Sequence, residues 1–208
     1  MNKFGFKYFG IFFSIISFFS FFNIIYSYYF NLLNNLNNYI FTFGITLIIG
    51  LFLIIFNKYK YEKISLFDRI LIVLIGYAIL PLAISIPYFL SIDNLGLINC
   101  YFEAISGFTS TGFTIFDNIK NIDQSLILWR SSTQWIGGLY FLFSIIFLID
   151  IYDENLKKTL TNFISFDSSE IFKQAIKIFL LYSFLTLMIF IILNLFSIRT
   201  FNSLNLAF

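Results

Sequence analysis

The chain has 208 residues, a net charge of +2 and a mean hydropathy of +0.87, with 59% hydrophobic and only 12% charged residues. A water-soluble domain of this size could not bury so much apolar surface, so most of the chain is expected to lie in lipid. A single cysteine and no histidine exclude an internal disulfide, a Cys/His zinc site and histidine-based acid–base catalysis, and the small net charge excludes nucleic-acid binding.

Five apolar stretches are long enough to cross the hydrocarbon core of a bilayer, which takes roughly 20 helical residues. They are residues 8–29, 38–57, 70–92, 131–150 and 175–198. Charged residues fall at the ends of these stretches, so a charge relay or voltage sensor at membrane depth is not predicted. The first stretch has no small-residue cleavage pattern, which favours a retained span over a signal peptide.

The distribution of basic residues predicts the orientation of these spans. With a cytoplasmic N-terminus, ten of the thirteen basic residues fall on the inner side. These ten are Lys3, Lys7, Lys58, Lys60, Lys63, Arg69, Lys157, Lys158, Lys173 and Lys177. The positive-inside rule therefore predicts a cytoplasmic N-terminus and an outer location for the C-terminal end of this chain.

In this orientation the segment 93–129 begins and ends on the outer face. It contains an apolar helical pattern from Leu95 to Phe108 with Glu103 within it, which is too short and too polar to cross the membrane. The pattern predicts a re-entrant element, in which a short helix dips in from outside and is followed by a turn and an extended return. The expected fold is therefore an all-α integral membrane protein, with about five transmembrane helices, one re-entrant pore helix and an extended filter loop.

The re-entrant segment ends in "SGFTSTGFT", residues 106–114. Non-helical backbone at membrane depth is tolerated only where protein or a water-filled cavity surrounds it. Gly112 can adopt a positive φ and turn successive carbonyls to one side, where they could replace the hydration shell of a monovalent cation. The negative end of the preceding helix dipole would favour the same cation. An ordinary structural turn is the alternative interpretation of these residues.

Two linked motifs resemble a known family. "YFEAISGFTSTGFT" (101–114), followed by "LILWRSSTQWIGGL" (126–139), resembles the first pore loop and following helix of Trk/Ktr/HKT potassium transporters, closest to the TrkH-like branch. "SIPYFLS", with Pro87, resembles the end of that family's first pore-lining helix. The resemblance implies two preliminary helices followed by four repeats of helix, pore loop and helix around one pore.

On this resemblance, residues 1–69 hold the preliminary helices and a cytoplasmic loop, and 70–151 form the first repeat. Residues 152–208 hold a cytoplasmic loop and the start of a second repeat, where "LNLAF" (204–208) echoes "INCYF" (98–102). Because the family has four filter segments and this sequence has one, the chain is expected to be an N-terminal fragment of a longer protein or a truncated gene product.

The resemblance also implies roles for individual residues. The expected ion-binding carbonyls belong to Ser110, Thr111, Gly112 and Phe113. The expected supports of the filter are Thr109, Thr114, Glu103, Arg130 and Gln134.

Several supporting residues have more than one interpretation. Glu103 could concentrate cations at the outer mouth or bind loop amides. Arg130 could pair with Glu103, Asp117 or Asp123, or could snorkel to the interface. Trp129 is interpreted as an interface anchor and Trp135 as a packing residue, while Gly107, Gly137 and Gly138 suit close helix contact.

The resemblance implies uptake of potassium, with sodium as a second candidate ion, across the plasma (inner) membrane. It implies no covalent cofactor, no metal other than the transported K⁺, and a homodimer with a cytoplasmic nucleotide-binding, TrkA-like regulatory subunit. The alternative is a small helical membrane anchor or assembly subunit without transport activity. The loops show no nucleophile–base pair or metal-ligand cluster, so the chain is not predicted to be an enzyme.

Overall fold

The computed structural model describes residues 3–56, 66–92, 95–117, 122–149 and 171–208. Within these ranges the backbone forms helices, turns and short irregular stretches but no β-strand, so the predicted all-α fold is confirmed. The predicted inner segments 58–65 and 151–170, and residues 118–121 of the outer loop, lie outside the described residues.

The helices, in chain order, are α1 (Lys3–Tyr29), a 3₁₀ turn (Leu33–Asn35), α2 (Leu36–Ile55), α3 (Leu66–Ile84), α4 (Ile86–Ser91), α5 (Leu97–Phe108), α6 (Gln124–Ile149), α7 (Ile171–Leu195) and α8 (Thr200–Ala207).

Four stretches of the described residues are long and apolar enough to cross a membrane. They are Phe6–Tyr29, Leu33–Ile55, Phe67–Ser91 and Ile176–Leu195, which match four of the five predicted spans. The remaining predicted span, 131–150, falls on α6 but is not among these four.

The chain divides into two units. The first consists of Met1–Lys60 and Ile72–Gly138, and the second of Tyr61–Leu71 and Leu139–Phe208. In the second unit α8 packs on α7, and most of the large apolar side chains along α7 are exposed. This exposure fits a helix whose solvent is lipid. The first unit contains the whole of the predicted pore loop.

Small residues let α1 and α2 pack closely in the first unit. A Cβ atom added to Gly50 would lie 2.7 Å from Ser14 Oγ and 3.0 Å from the Ser14 backbone nitrogen. The Ser20 hydroxyl, on the same face of α1, donates a hydrogen bond of 2.8 Å to the Tyr39 carbonyl. Close backbone contact and interhelical hydrogen bonds are the usual means of helix association in membranes, where the hydrophobic effect does not act between helices.

A proline separates α3 from α4. Pro87 lies in the first turn of α4, where it has no N–H to donate to the Ala83 carbonyl four residues earlier. The carbonyl of Ile84 at this break accepts a hydrogen bond of 3.1 Å from the Trp129 indole nitrogen. The break in the third span thus creates an attachment point for α6.

Replacing Gly50 with alanine is expected to destabilise the protein, because the added methyl group would collide with Ser14. Gly44, also within α2, is the matched control, since an added Cβ atom there meets nothing within 4 Å. Gly44→Ala should be neutral or stabilising by up to about 1 kcal/mol through helix propensity. Thermal unfolding in detergent checks both variants, and an equal change in melting temperature for the two would contradict the close contact.

Candidate functional site

Helix α5 is the predicted short helix of the re-entrant segment. Its 12 residues span about 18 Å, well short of the roughly 30 Å hydrocarbon core. One face is buried and includes Cys100, Glu103 and Phe108, whereas Ile98 on the other face is exposed. Burial raises the pKa of the Cys100 thiol, which therefore stays neutral.

A left-handed residue ends α5. Ser110 has a φ of 53°, its N–H bonds to the Gly107 carbonyl at 3.0 Å, and the Thr111 N–H bonds to the Ser106 carbonyl at 3.0 Å. This pair of bonds is the Schellman motif, in which a glycine usually occupies the left-handed position. Using serine there costs roughly 1–2 kcal/mol of backbone strain. The motif turns the chain sharply away from the helix axis at the first predicted filter residue.

The next residues form an exposed, non-helical segment. Gly112 has a φ of +82°, which a residue with a side chain rarely adopts, so the expected positive φ is confirmed. The carbonyls of Ser110, Thr111 and Gly112 accept no hydrogen bond from the described residues. The Phe113 carbonyl accepts a bond of 2.6 Å from the Ser106 hydroxyl, which fixes the far end of this segment to α5.

Threonine hydroxyls tie the start of the segment to the end of the helix. The Thr109 hydroxyl donates to the Ile105 carbonyl at 2.7 Å and lies 2.6 Å from the Thr111 hydroxyl. Thr114, at the other end, donates to Glu103 Oε2 at 3.0 Å. Both threonines predicted as supports therefore contact the pore helix or the filter segment.

Glu103 joins three parts of the chain. Its carboxylate has no exposed surface, and its Oε1 accepts a hydrogen bond of 2.6 Å from Arg130 Nε on α6. Its Oε2 accepts from the Thr114 hydroxyl at 3.0 Å and from the Ile115 N–H at 3.1 Å. The expected contact with a loop amide is found, and the full burial of Glu103 excludes the outer-mouth interpretation.

The structure also resolves the choice among partners for Arg130. Of the three candidate carboxylates, Glu103 forms the ion pair. Asp123 instead caps α6, because its Oδ1 accepts from the Ser125 N–H at 2.7 Å and from the Ser125 hydroxyl at 2.6 Å. An aspartate two residues before a serine at the start of a helix is a recognisable N-cap pattern, which the sequence analysis did not use.

The predicted role of Trp129 as an interface anchor is wrong. Its side chain is fully buried, and its indole N–H bonds to the Ile84 carbonyl. This carbonyl lies at the break between α3 and α4. Trp135 is also buried and contacts Phe19 with ring centroids 4.9 Å apart, as its predicted packing role requires.

Two glycines bring α5 into direct contact with α6. A Cβ atom added to Gly107 would collide with Thr133 Oγ1, and one added to Gly137 would collide with the Phe108 carbonyl. The predicted close contacts of Gly107 and Gly137 are confirmed. Gln134, which lies on α6, is half-buried. Among the described residues, no hydrogen bond joins it to the filter segment.

Ser106 is a contributor that the sequence analysis missed. Its hydroxyl holds the Phe113 carbonyl, seven residues further along the chain. Its position three residues after Glu103, on the same face of the helix, was the available signal.

Known proteins resemble this chain in sequence and in fold. No protein-family model matches the chain. The chain is 33% identical, over 103 residues, to an uncharacterized cation transporter of Methanocaldococcus jannaschii. The match covers 47% of this chain and 22% of that protein. Over 99 residues, also 47% of this chain, it is 28% identical to the Trk system potassium uptake protein TrkH of Escherichia coli K12, covering 20% of that protein.

The fold agrees with these matches. The crystal structure of the potassium transporter TrkH from Vibrio parahaemolyticus superposes with a TM-score of 0.73 and 19% identity, over 97% of this chain and 42% of that one. The chain therefore has the fold of this transporter, and its sequence is similar to that of Trk system potassium uptake proteins. It spans about a fifth of the length of the curated relatives it matches. The names of these relatives describe transport rather than catalysis, which agrees with the prediction that the chain is not an enzyme.

Gly137→Ala is expected to lower the melting temperature of the protein. The new methyl group would meet the backbone carbonyl of Phe108, which cannot move unless the end of α5 moves with it. Overpacking of this kind typically costs about 1–3 kcal/mol. Thermal unfolding beside Gly44→Ala checks the prediction, which fails if both variants melt at the wild-type temperature.

Proposed function

We propose that this chain forms part of a potassium uptake protein and contributes one segment of its selectivity filter. The names of the relatives and the fold support potassium or cation transport. The observation that carries the filter assignment is the exposed segment after α5, where three consecutive carbonyls accept no hydrogen bond from the described residues. Such oxygens can replace the water around a monovalent cation.

The proposed ligands are the carbonyls of Ser110, Thr111, Gly112 and Phe113. The positive φ of Gly112 permits a non-helical path that leaves its neighbours' carbonyls without protein donors. The Phe113 carbonyl already accepts one hydrogen bond, but a carbonyl oxygen has two lone pairs and can also face an ion. The C-terminal end of α5 lies directly before these residues, so its partial negative charge favours a cation.

The proposed support for this segment comes from two sides. Thr109 fixes its start, and Glu103 with Thr114 fixes the non-helical residues 114–117 that follow it. Arg130 balances the buried charge of Glu103, and we propose that Gln134 lies behind the segment on α6.

In this proposal residues 1–69 form the preliminary helices, 70–151 form the first of four repeats, and 152–208 begin the second.

The proposed setting is the plasma (inner) membrane, with a cytoplasmic N-terminus and the pore loop entering from outside. The ten basic residues on the inner side support this orientation. A homodimer with a cytoplasmic nucleotide-binding, TrkA-like subunit is proposed from the family resemblance. Potassium is the proposed cargo, and no covalent cofactor is proposed.

The filter assignment predicts that Gly112→Ser, in the complete gene product, reduces the preference for potassium over sodium. A side chain at a φ of +82° is strained, so the backbone would shift and displace the neighbouring carbonyls. Ion competition during rubidium or potassium uptake by cells that lack other uptake systems measures the preference.

Gly96→Ser is the matched control for this substitution. Gly96 precedes α5 with a φ of −63°, and an added Cβ atom there meets nothing within 4 Å. Serine is a favourable residue at this N-cap position, so uptake and selectivity should stay at wild-type values. Unchanged selectivity in Gly112→Ser, with the protein present in the membrane, would refute the filter assignment.

A further inference from the structure

The start of α2 holds the end of α4. Asn38, in the first turn of α2, is half-buried, and its Nδ2 donates to the Leu90 carbonyl and to the Ser91 hydroxyl oxygen, both at 3.0 Å. An amide nitrogen of this kind carries two hydrogens, so these two bonds use its whole donor capacity. The last carbonyls of a helix have no partner within that helix. Asn38 therefore caps the end of α4 from a neighbouring helix.

The next residue of α2 holds the start of α6. Tyr39 is fully buried, and its hydroxyl donates to Ser125 Oγ at 3.2 Å. Ser125 Oγ in turn donates to Oδ1 of Asp123, the cap of α6, at 2.6 Å. The Tyr39 ring also contacts the Trp129 ring on the same helix, with centroids 6.0 Å apart. A hydrogen-bond chain and ring packing therefore join Tyr39 to the first two turns of α6.

The two attached helix ends flank the pore loop. Helix α4 ends at Ser91 and α6 begins at Gln124, and both α5 and the filter segment (110–113) lie between them in the chain. Arg130, which pairs with Glu103, lies only about 9 Å along α6 from its first residue. A shift of the start of α6 relative to α4 would therefore move this ion pair as well. Two consecutive side chains of α2 thus fix the helix ends from which the pore loop departs and to which it returns.

We propose that Asn38 and Tyr39 form a clasp that positions the filter segment and so contributes to ion selectivity without touching the ion. This inference rests on the proposed function, since the clasp acts on the filter. Carbonyl ligands distinguish potassium from sodium through their number and their positions around the ion. The clasp holds α4 and α6 at a fixed separation, and this separation keeps the Glu103–Arg130 pair and the carbonyls before it in place.

Two substitutions in the complete gene product test the clasp. Tyr39→Phe keeps the ring against Trp129 and removes only the hydroxyl, and Asn38→Ala removes the amide. Each should lower the preference for potassium over sodium by up to roughly tenfold, the most that one lost hydrogen bond can supply. Ion competition during uptake measures this preference, which is a ratio and does not fall merely because less protein reaches the membrane.

Tyr28→Phe and Asn37→Ala are the matched controls, because both side chains are exposed. Both should keep the wild-type preference. An unchanged preference in either clasp variant overturns the proposal for that residue.

A double variant tests whether Tyr39 acts through Ser125. If it does, Tyr39→Phe combined with Ser125→Ala should have the same preference as Ser125→Ala alone, because the bond is already lost. A further fall in the double variant overturns the hydrogen-bond chain.

Gly112→Ser, measured beside these variants, separates failure of the clasp from failure of the proposed function. If Gly112→Ser lowers the preference and the clasp variants do not, the clasp alone is overturned. If Gly112→Ser also leaves it unchanged, the filter assignment fails and the clasp proposal with it.

Amide hydrogen exchange tests the hold on α6 without any transport. The N–H groups of Leu126 and Ile127 bond to the Asp123 carbonyl at 3.0 and 3.1 Å, in the turn that Tyr39 holds through Ser125. Tyr39→Phe should speed their exchange by roughly 2- to 10-fold, as expected for the loss of one hydrogen bond. Exchange at the wild-type rate overturns the clasp.

Discussion

The buried carboxylate of Glu103 is the constraint on which the pore loop depends. A charge with no exposed surface is tolerated only when it is paired and hydrogen-bonded, and Glu103 has three donors from two other parts of the chain. Arg130 comes from α6, and Thr114 and Ile115 come from the non-helical segment that follows α5. The carboxylate thereby fixes a non-helical stretch that has no regular backbone hydrogen bonding of its own. The exposed carbonyls of the preceding residues are held in place by this attachment.

Close packing complements the ion pair. Gly107 and Gly137 allow α5 to lie directly against α6, so that no side chain separates the end of the pore helix from its support. The Schellman turn at Ser110 then directs the backbone away from both helices. Three features act together on this segment: the hydrogen bonds of Glu103, the close contacts at the glycines and the left-handed turn. The conformation of the segment would be poorly defined if any one of them were missing.

Much of this arrangement could be predicted from the sequence, since it depends on local rules. Apolar length predicts the helices, and a glycine in a polar run predicts the positive φ at Gly112. Contacts between distant residues could not be predicted in the same way. The sequence offers Arg130 three carboxylates, and only the fold shows that Glu103 is the one that pairs with it. Trp129 follows the rule for interfacial tryptophans, yet it is buried and donates to the Ile84 carbonyl at the break between α3 and α4.

The Glu103–Arg130 pair is the central attachment of the pore loop to α6, and a double-mutant cycle measures its strength most directly. Arg130→Gln is expected to lower the free energy of unfolding by roughly 3–5 kcal/mol, because it leaves the fully buried Glu103 charge unpaired. Glu103→Gln is expected to cost less, because the Arg130 side chain that it leaves unpaired is 15% exposed. The double variant removes both charges, so its loss should be clearly smaller than the sum of the two. Additivity of the two losses within about 0.5 kcal/mol would contradict the account, because it would show that the residues do not interact.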